Sequence, residues 1–141
     1  MSGYEHLAGK ILPEGVMTIT AADDRRLVAL VGGRELSGEA VHPVWLMVAL
    51  VGGLGVPIAE VYGMLDCRME DGPMLGECEL ELERPLRPGA YRVRGEILDV
   101  KRKSGRRSGV FDLMRMRVTL DDDEGPAATC TALQIVPRRT A

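Results

Sequence analysis

A chain of 141 residues suffices for one domain with a single continuous core, and no linker, repeat or composition shift divides residues 1–141. A balance of 45% hydrophobic against 28% charged residues excludes an intrinsically disordered chain. A net charge of -3, with one Trp, three Tyr and one Phe, excludes the basic, ring-rich surface of a nucleic-acid binder and gives no pull toward an anionic membrane.

In chain order, the first element signal is "TITAADDRRLVALVGG". Thr20 is placed to cap a short helix, Asp23 answers it three residues later, and Asp23 and Asp24 complement the positive end of the helix dipole. Leu27, Val28 and Leu30 form the apolar face, and Gly32 with Gly33 ends the element. Next comes "HPVWLMVALVGGLGVP", inside a run over residues 40–59 that carries no formal charge. A run of this length can span a bilayer. Gly52, Gly53, Gly55 and Pro57 interrupt it, however, and neither flank carries an Arg/Lys cluster or an aromatic belt. It therefore reads as a core helix with no membrane role. It opens near Pro43, is apolar and buried on all sides, breaks at the glycines and resumes over residues 58–62.

From Gly76 the hydrophobic period becomes two. "ECELELERPL" alternates Cys78, Leu80 and Leu82 with Glu77, Glu79, Glu81 and Glu83, the pattern of a half-buried antiparallel strand. "RPLRPGA" is a turn, and "YRVRGEILDVKRK" resumes with Tyr91, Val93, Gly95 and Ile97 inward. "KRKSGRRSG" is a basic hairpin loop, "VFDLMRMRVTL" a third strand, "DDDEG" its turn and "PAATCTALQIVPRR" a fourth strand. The one-sided sheet needs an apolar partner, and the uncharged helix supplies it. The expected class is α+β: a single hot-dog domain, an antiparallel β-sheet wrapped around a long apolar central helix.

The motifs carry a resemblance to the MaoC-like hydratase/dehydratase family over roughly residues 8–138. "VMTITAADDRRLVALVGG" resembles that family's opening strand and short helix. "SGEAVHPVWLMVAL" resembles the start of its central helix, and "CELELERPLRPGAYRVRGEILDVKRKSGRRSG" its strand, turn, strand and basic loop. Catalytic members carry a G-D-x-N-P-x-H loop after the first helix. Here Gly33 leads through Arg34, Glu35, Leu36 and Ser37 directly into Gly38 and Glu39, with no counterpart of its Asp, Asn-Pro or His. The chain thus resembles the non-catalytic half of two-part MaoC-like hydratases. The resemblance implies an acyl-CoA or related acyl thioester as ligand, no bound cofactor, and a homodimer or a heterodimer with a catalytic MaoC-like subunit.

Three sets of residues are candidates for the site. Glu39 and His42 sit three apart at the helix entry, where they can position water or hold a thioester carbonyl near backbone N–H groups, as in some hot-dog thioesterases. Alternatively, His42 hydrogen-bonds a backbone group while Glu39 acts in capping. Lys101, Arg102, Lys103, Arg106 and Arg107 can contact the phosphates of coenzyme A, or simply keep a hairpin tip solvated. Trp45, Met47 and Met64 can line an acyl tunnel, or fill gaps in the core with Met69, Met74, Met114 and Met116.

Cys67, Cys78 and Cys130 are odd in number, widely spaced and without zinc-ligand spacing, so they read as free thiols of a cytoplasmic protein, with no metal site. No basic-then-apolar leader is visible at the N-terminus. Asp121, Asp122, Asp123 and Glu124 read as an acidic turn more readily than as a cation site. Three functions remain open: a degenerate or non-catalytic thioester-binding subunit, an active thioesterase or noncanonical hydratase using Glu39 and His42, and a ligand-free structural dimer.

Overall fold

A computed structural model of the chain describes residues 3–34 and 38–138. Residues 35–37 of the short connection before Gly38, and Arg139 at the end of the last strand segment, lie outside the described residues. The elements are β1 (Ile11–Ile19), α1 (Ala21–Leu30), α2 (Trp45–Gly52), α3 (Ile58–Gly63), β2 (Met74–Leu82), β3 (Gly89–Gly105), β4 (Gly109–Asp122) and β5 (Gly125–Pro137). The five strands form one antiparallel sheet in the order β1-β3-β4-β5-β2.

Alternation sets the faces. Tyr91, Val93 and Ile97 of β3, Met114, Met116, Val118 and Leu120 of β4, and Ala128, Cys130 and Ala132 of β5 are all buried in one core. Helix α2 lies against β4 and β5 and adds Leu46, Ala49 and Leu50. Tyr62 of α3 closes the far side, donating from its buried hydroxyl to Gln134 Oε1 at 2.8 Å. The expected class therefore holds, with the apolar helix in two pieces where its glycines break it.

The expectation that this helix is buried all round is corrected. Val48 and Val51 of α2 are exposed, because the sheet of one chain covers only one side of the helix. Helix α1 differs similarly: Val28 is buried, but Leu30 is 84% exposed. Among the described residues no helix is long and apolar enough to cross a membrane.

The glycines between α2 and α3 have a positive role. Strand β1 bulges between Leu12 and Gly15, where Pro13 lacks an N–H and leaves the ladder unmade. The loop over residues 53–55 fills that notch, with Gly55 N–H donating to Pro13 O at 2.9 Å. A Cβ on Gly15 would stand 2.0 Å from Gly53 O, and one on Gly55 2.1 Å from Glu14 O. Backbone meets backbone there, so only glycine fits.

Strand β2 also differs from expectation. Its residues alternate as anticipated, yet all are exposed except the half-buried Leu80. It is the last strand of the sheet, and on its helix side Leu80 is half-buried against the core while Cys78 and Leu82 are exposed. The basic segment is less a loop than two strand ends: β3 runs to Gly105, pairs with Gly109 and leaves only residues 106–108 as the turn.

Candidate functional site

Thr20 Oγ1 accepts the Asp23 N–H at 3.0 Å, so the predicted cap starts α1 and fixes its first turn. Asp23 then pairs with Arg26 on the surface. Asp24, one position on, points across to the entry of α2. Its Oδ1 accepts both the backbone N–H of His42 and the indole Nε1–H of Trp45, each at 2.9 Å. The Nδ1 of His42 accepts the Val44 N–H at 3.0 Å, which places the proton of the neutral ring on Nε2. Val41 N–H donates to Leu86 O at 2.8 Å and ties the same loop to the connection before β3.

This latch forms the wall of an open cleft of about 420 Å³, lined by Asp24, Arg25, Gly38, Glu39, Ala40, Val41 and Pro88, among others. On the other side of the loop, Ala40, Val41, Pro43, Leu82, Pro85 and Leu86 line a second concavity of about 570 Å³. The two share Ala40 and Val41. The first is about evenly polar and apolar, the second is mostly apolar although Glu83 and Arg84 also line it, and only the second reaches β2, through Leu82.

The structure keeps Glu39 and His42 on one loop but joins their side chains by no hydrogen bond. Glu39 is exposed in the cleft, while the His42 ring accepts the backbone N–H of Val44. Trp45, Met47 and Met64 are half-buried and pack on the rim of the core. The indole N–H of Trp45 is held by Asp24, and Met47 Sδ lies 3.9 Å from the Cys130 thiol. Burial pushes the Cys130 thiol up to about 11, so it stays protonated at neutral pH.

The basic run lies at the far end of β3, roughly 50 Å of strand contour from Gly89, near the cleft. Arg102 is further committed, binding the fully buried Asp112 through Nε at 3.1 Å and a terminal nitrogen at 3.2 Å. Arg138 approaches the same carboxylate from the other side, at 3.3 Å. Lys101, Lys103, Arg106 and Arg107 are exposed. In the acidic turn, Asp122 is gripped by Arg84, which also donates to Gly125 O at 3.0 Å. The Arg84 guanidinium holds the Asp122 carboxyl below the ordinary carboxylate range.

Sequence reasoning missed Asp24 and Arg25. Asp24 reads as a dipole partner in "AADDRR", and nothing local says that its carboxylate anchors a helix some twenty residues on. The signal available was a polar indole N–H in an otherwise apolar helix, which needs an acceptor when buried.

No protein-family model and no curated sequence matches the chain. Solved structures do. The C-terminally truncated HadBC (3R-hydroxyacyl-ACP dehydratase) complex of Mycobacterium tuberculosis aligns at a TM-score of 0.71 and 11% identity, over 92% of this chain and 96% of that one. The ChsH1–ChsH2 complex of the same organism gives 0.67 at 14% identity, over 98% and 90%. A MaoC-like dehydratase of Rhodospirillum rubrum gives 0.62 at 17% identity, over 95% and 94%. With its five-stranded antiparallel sheet and apolar helix, the chain has the α+β hot-dog fold of the MaoC-like dehydratases.

Proposed function

We propose that this chain is a hot-dog subunit that binds an acyl thioester, of coenzyme A or of a carrier protein, beside the entry of α2. In this reading, hydration or dehydration is left to a catalytic MaoC-like partner. One observation carries it: the hydrogen-bonding circuit at the α2 entry is closed on itself. Asp24 Oδ1 takes the His42 and Trp45 N–H groups, and His42 Nδ1 takes that of Val44. A general base that activates water must have a lone pair within reach of the proton it removes. The acceptor nitrogen of His42 instead holds backbone. The adjoining concavities, one of mixed polarity and one mostly apolar, suit the two ends of a thioester, and the shared fold of the HadBC and ChsH1–ChsH2 complexes supports a two-subunit arrangement.

A second reading, thioester hydrolysis or noncanonical hydration, is favoured by the exposure of Glu39 in the cleft. One experiment separates the readings. The purified protein is incubated with saturated and 2-enoyl thioesters while masses and melting temperature are followed. Stabilisation without turnover is expected, since a ligand that binds only the folded state raises its stability. Water added to the enoyl species overturns the proposal. Thiol release lost in Glu39→Gln establishes the hydrolase. Neither binding nor turnover leaves a ligand-free structural dimer.

A further inference from the structure

We propose that Cys78, Cys130 and Met47 form a three-sulfur site for one soft cation, Cu(I), on the helix side of the β2–β5 pair. The inference goes beyond the thioester reading and shares no residue with the circuit of Asp24, His42 and Trp45.

Three placements carry it. Met47 comes from α2, which lies against β5, and its Sδ accepts the Cys130 thiol at 3.9 Å. Three metal–sulfur bonds of about 2.3 Å in a trigonal plane hold their sulfurs about 4.0 Å apart, so this pair already has the spacing of two corners of such a site. Cys78 supplies the third corner. Its register partner on β5 is Ala132, and Leu80 is that of Cys130, so Cys78 and Cys130 are diagonal neighbours on one face. Diagonal neighbours stand about 7 Å apart. A disulfide needs its Cβ atoms within about 4.5 Å, so the two thiols are set too wide to bond each other. A metal ion between them adds two bonds of about 2.3 Å to the bridge and spans the gap. Ala132, beside both, projects only a methyl group.

Donor chemistry selects the ion. Thiolate and thioether are soft ligands, which favour Cu(I) over hard cations. Among the described residues no three His, Cys, Asp or Glu side chains gather as metal ligands, so the set lacks the imidazole or carboxylate that zinc, magnesium or calcium would recruit. The cysteine spacing shows no metal motif for the same reason: one donor is a thioether on a helix, and the two thiols meet only through the sheet. Access is one-sided. Cys78 is exposed, Met47 half-buried and Cys130 fully buried, so the ion enters at Cys78 and reaches Cys130 from there. Both thiols release their protons as the ion binds, with no change in its oxidation state, so affinity rises with pH. Burial first, and then the neighbouring Cys78 charge, hold the Cys130 proton in place, which makes it the harder of the two to displace.

The test titrates Cu(I) into the pre-reduced chain without oxygen, in competition with the chelator bicinchoninate, while ascorbate keeps the copper reduced. Wild type is expected to take one ion per chain from the chelator, and to hold it more tightly at about pH 8 than at about pH 6. Cys78→Ser and Cys130→Ala should each weaken retention at least ~100-fold and Met47→Leu at least ~10-fold, while Cys67→Ser leaves it unchanged. X-ray absorption at the copper edge should show sulfur alone at about 2.3 Å. Failure to draw copper from the chelator overturns the proposal. So does retention undiminished in Cys78→Ser or in Met47→Leu, or a shell of nitrogen and oxygen. Should Cys130→Ala fail to fold, the exposed Cys78→Ser and the volume-conserving Met47→Leu decide. None of these readouts involves a thioester, so failure of the proposed function does not mimic them.

Discussion

The two edges of this sheet are opposites. At the β1 edge, Pro13 removes a donor, a bulge breaks the ladder, and the loop over residues 53–55 is set into the notch with Gly55 bonded to Pro13. Leu12, Met17 and Ile19 are buried beneath it. At the β2 edge strand residues on both faces meet solvent. The same antiparallel sheet thus terminates once by closing on its own chain and once by leaving pairing groups open. The difference lies in which residues reach the edge: small ones where backbone must approach backbone, carboxylates where the strand stays in solvent.

Substitutions at the closed edge should produce the largest effects. Gly15→Ala drives a methyl into the Gly53 carbonyl and is expected to cost about 3 kcal/mol in chemical denaturation. Glu79→Gln at the open edge should change the stability of the isolated chain by no more than ~0.5 kcal/mol. Equal effects would dissolve the contrast between the edges. Next in size, Asp24→Ala leaves the His42 and Trp45 N–H donors without their acceptor and is expected to cost about 2 kcal/mol. Asp24→Asn, which keeps an acceptor oxygen, should recover most of that loss. If it does not, the charge of Asp24 matters beyond the two hydrogen bonds.

The thiols sharpen the comparison further. Cys78 is exposed on the open edge, whereas Cys67 and Cys130 are buried, so one thiol of three should react quickly with a disulfide reagent near neutral pH. The Cys130 thiol is raised from 9.0 to about 11 in the fold, so the unfolded chain loses that proton first. Stability should be intact below pH 9 and fall as pH rises toward 11, by about 1 kcal/mol at pH 10. Cys130→Ala should flatten that limb of the pH profile. The smallest expected effect is at the acidic turn. Asp122 is held below its ordinary 3.8 by Arg84, so its contribution is present above that pH and lost as pH falls through the lower folded value. Asp122→Asn should remove this dependence from an acid titration of folding.

Much of the fold was legible because hairpins are local. "KRKSGRRSG" and "DDDEG" each lie between strands whose alternation is visible within ten residues, and β3, β4 and β5 followed directly. The break in the apolar helix was legible from Gly52, Gly53, Gly55 and Pro57, although their purpose was not. The close fit of Gly55 against Glu14 joins segments some forty residues apart, and no local pattern encodes it. Strand β2 shows the same limit in another form. Alternation of Glu with Cys78, Leu80 and Leu82 says which face each side chain takes, but not whether anything covers that face. At the site, the position of His42 left two roles open, and the bond its Nδ1 accepts from the Val44 N–H was not encoded in either. Asp24 was invisible as an anchor because its partners lie on another element.

The order of the strands in space also has a kinetic consequence. Strands β3, β4 and β5 form a meander of neighbours in sequence, whereas β1 joins through pairs such as Met17 with Tyr91, and β2 through pairs such as Leu80 with Cys130. Closing those large loops carries the greater entropic cost, so the meander can assemble early and the two outer strands dock late. For β1 the late step is completed by its own chain. For β2 it ends on the β5 ladder alone, so this outermost strand should be the first to open when the fold fluctuates.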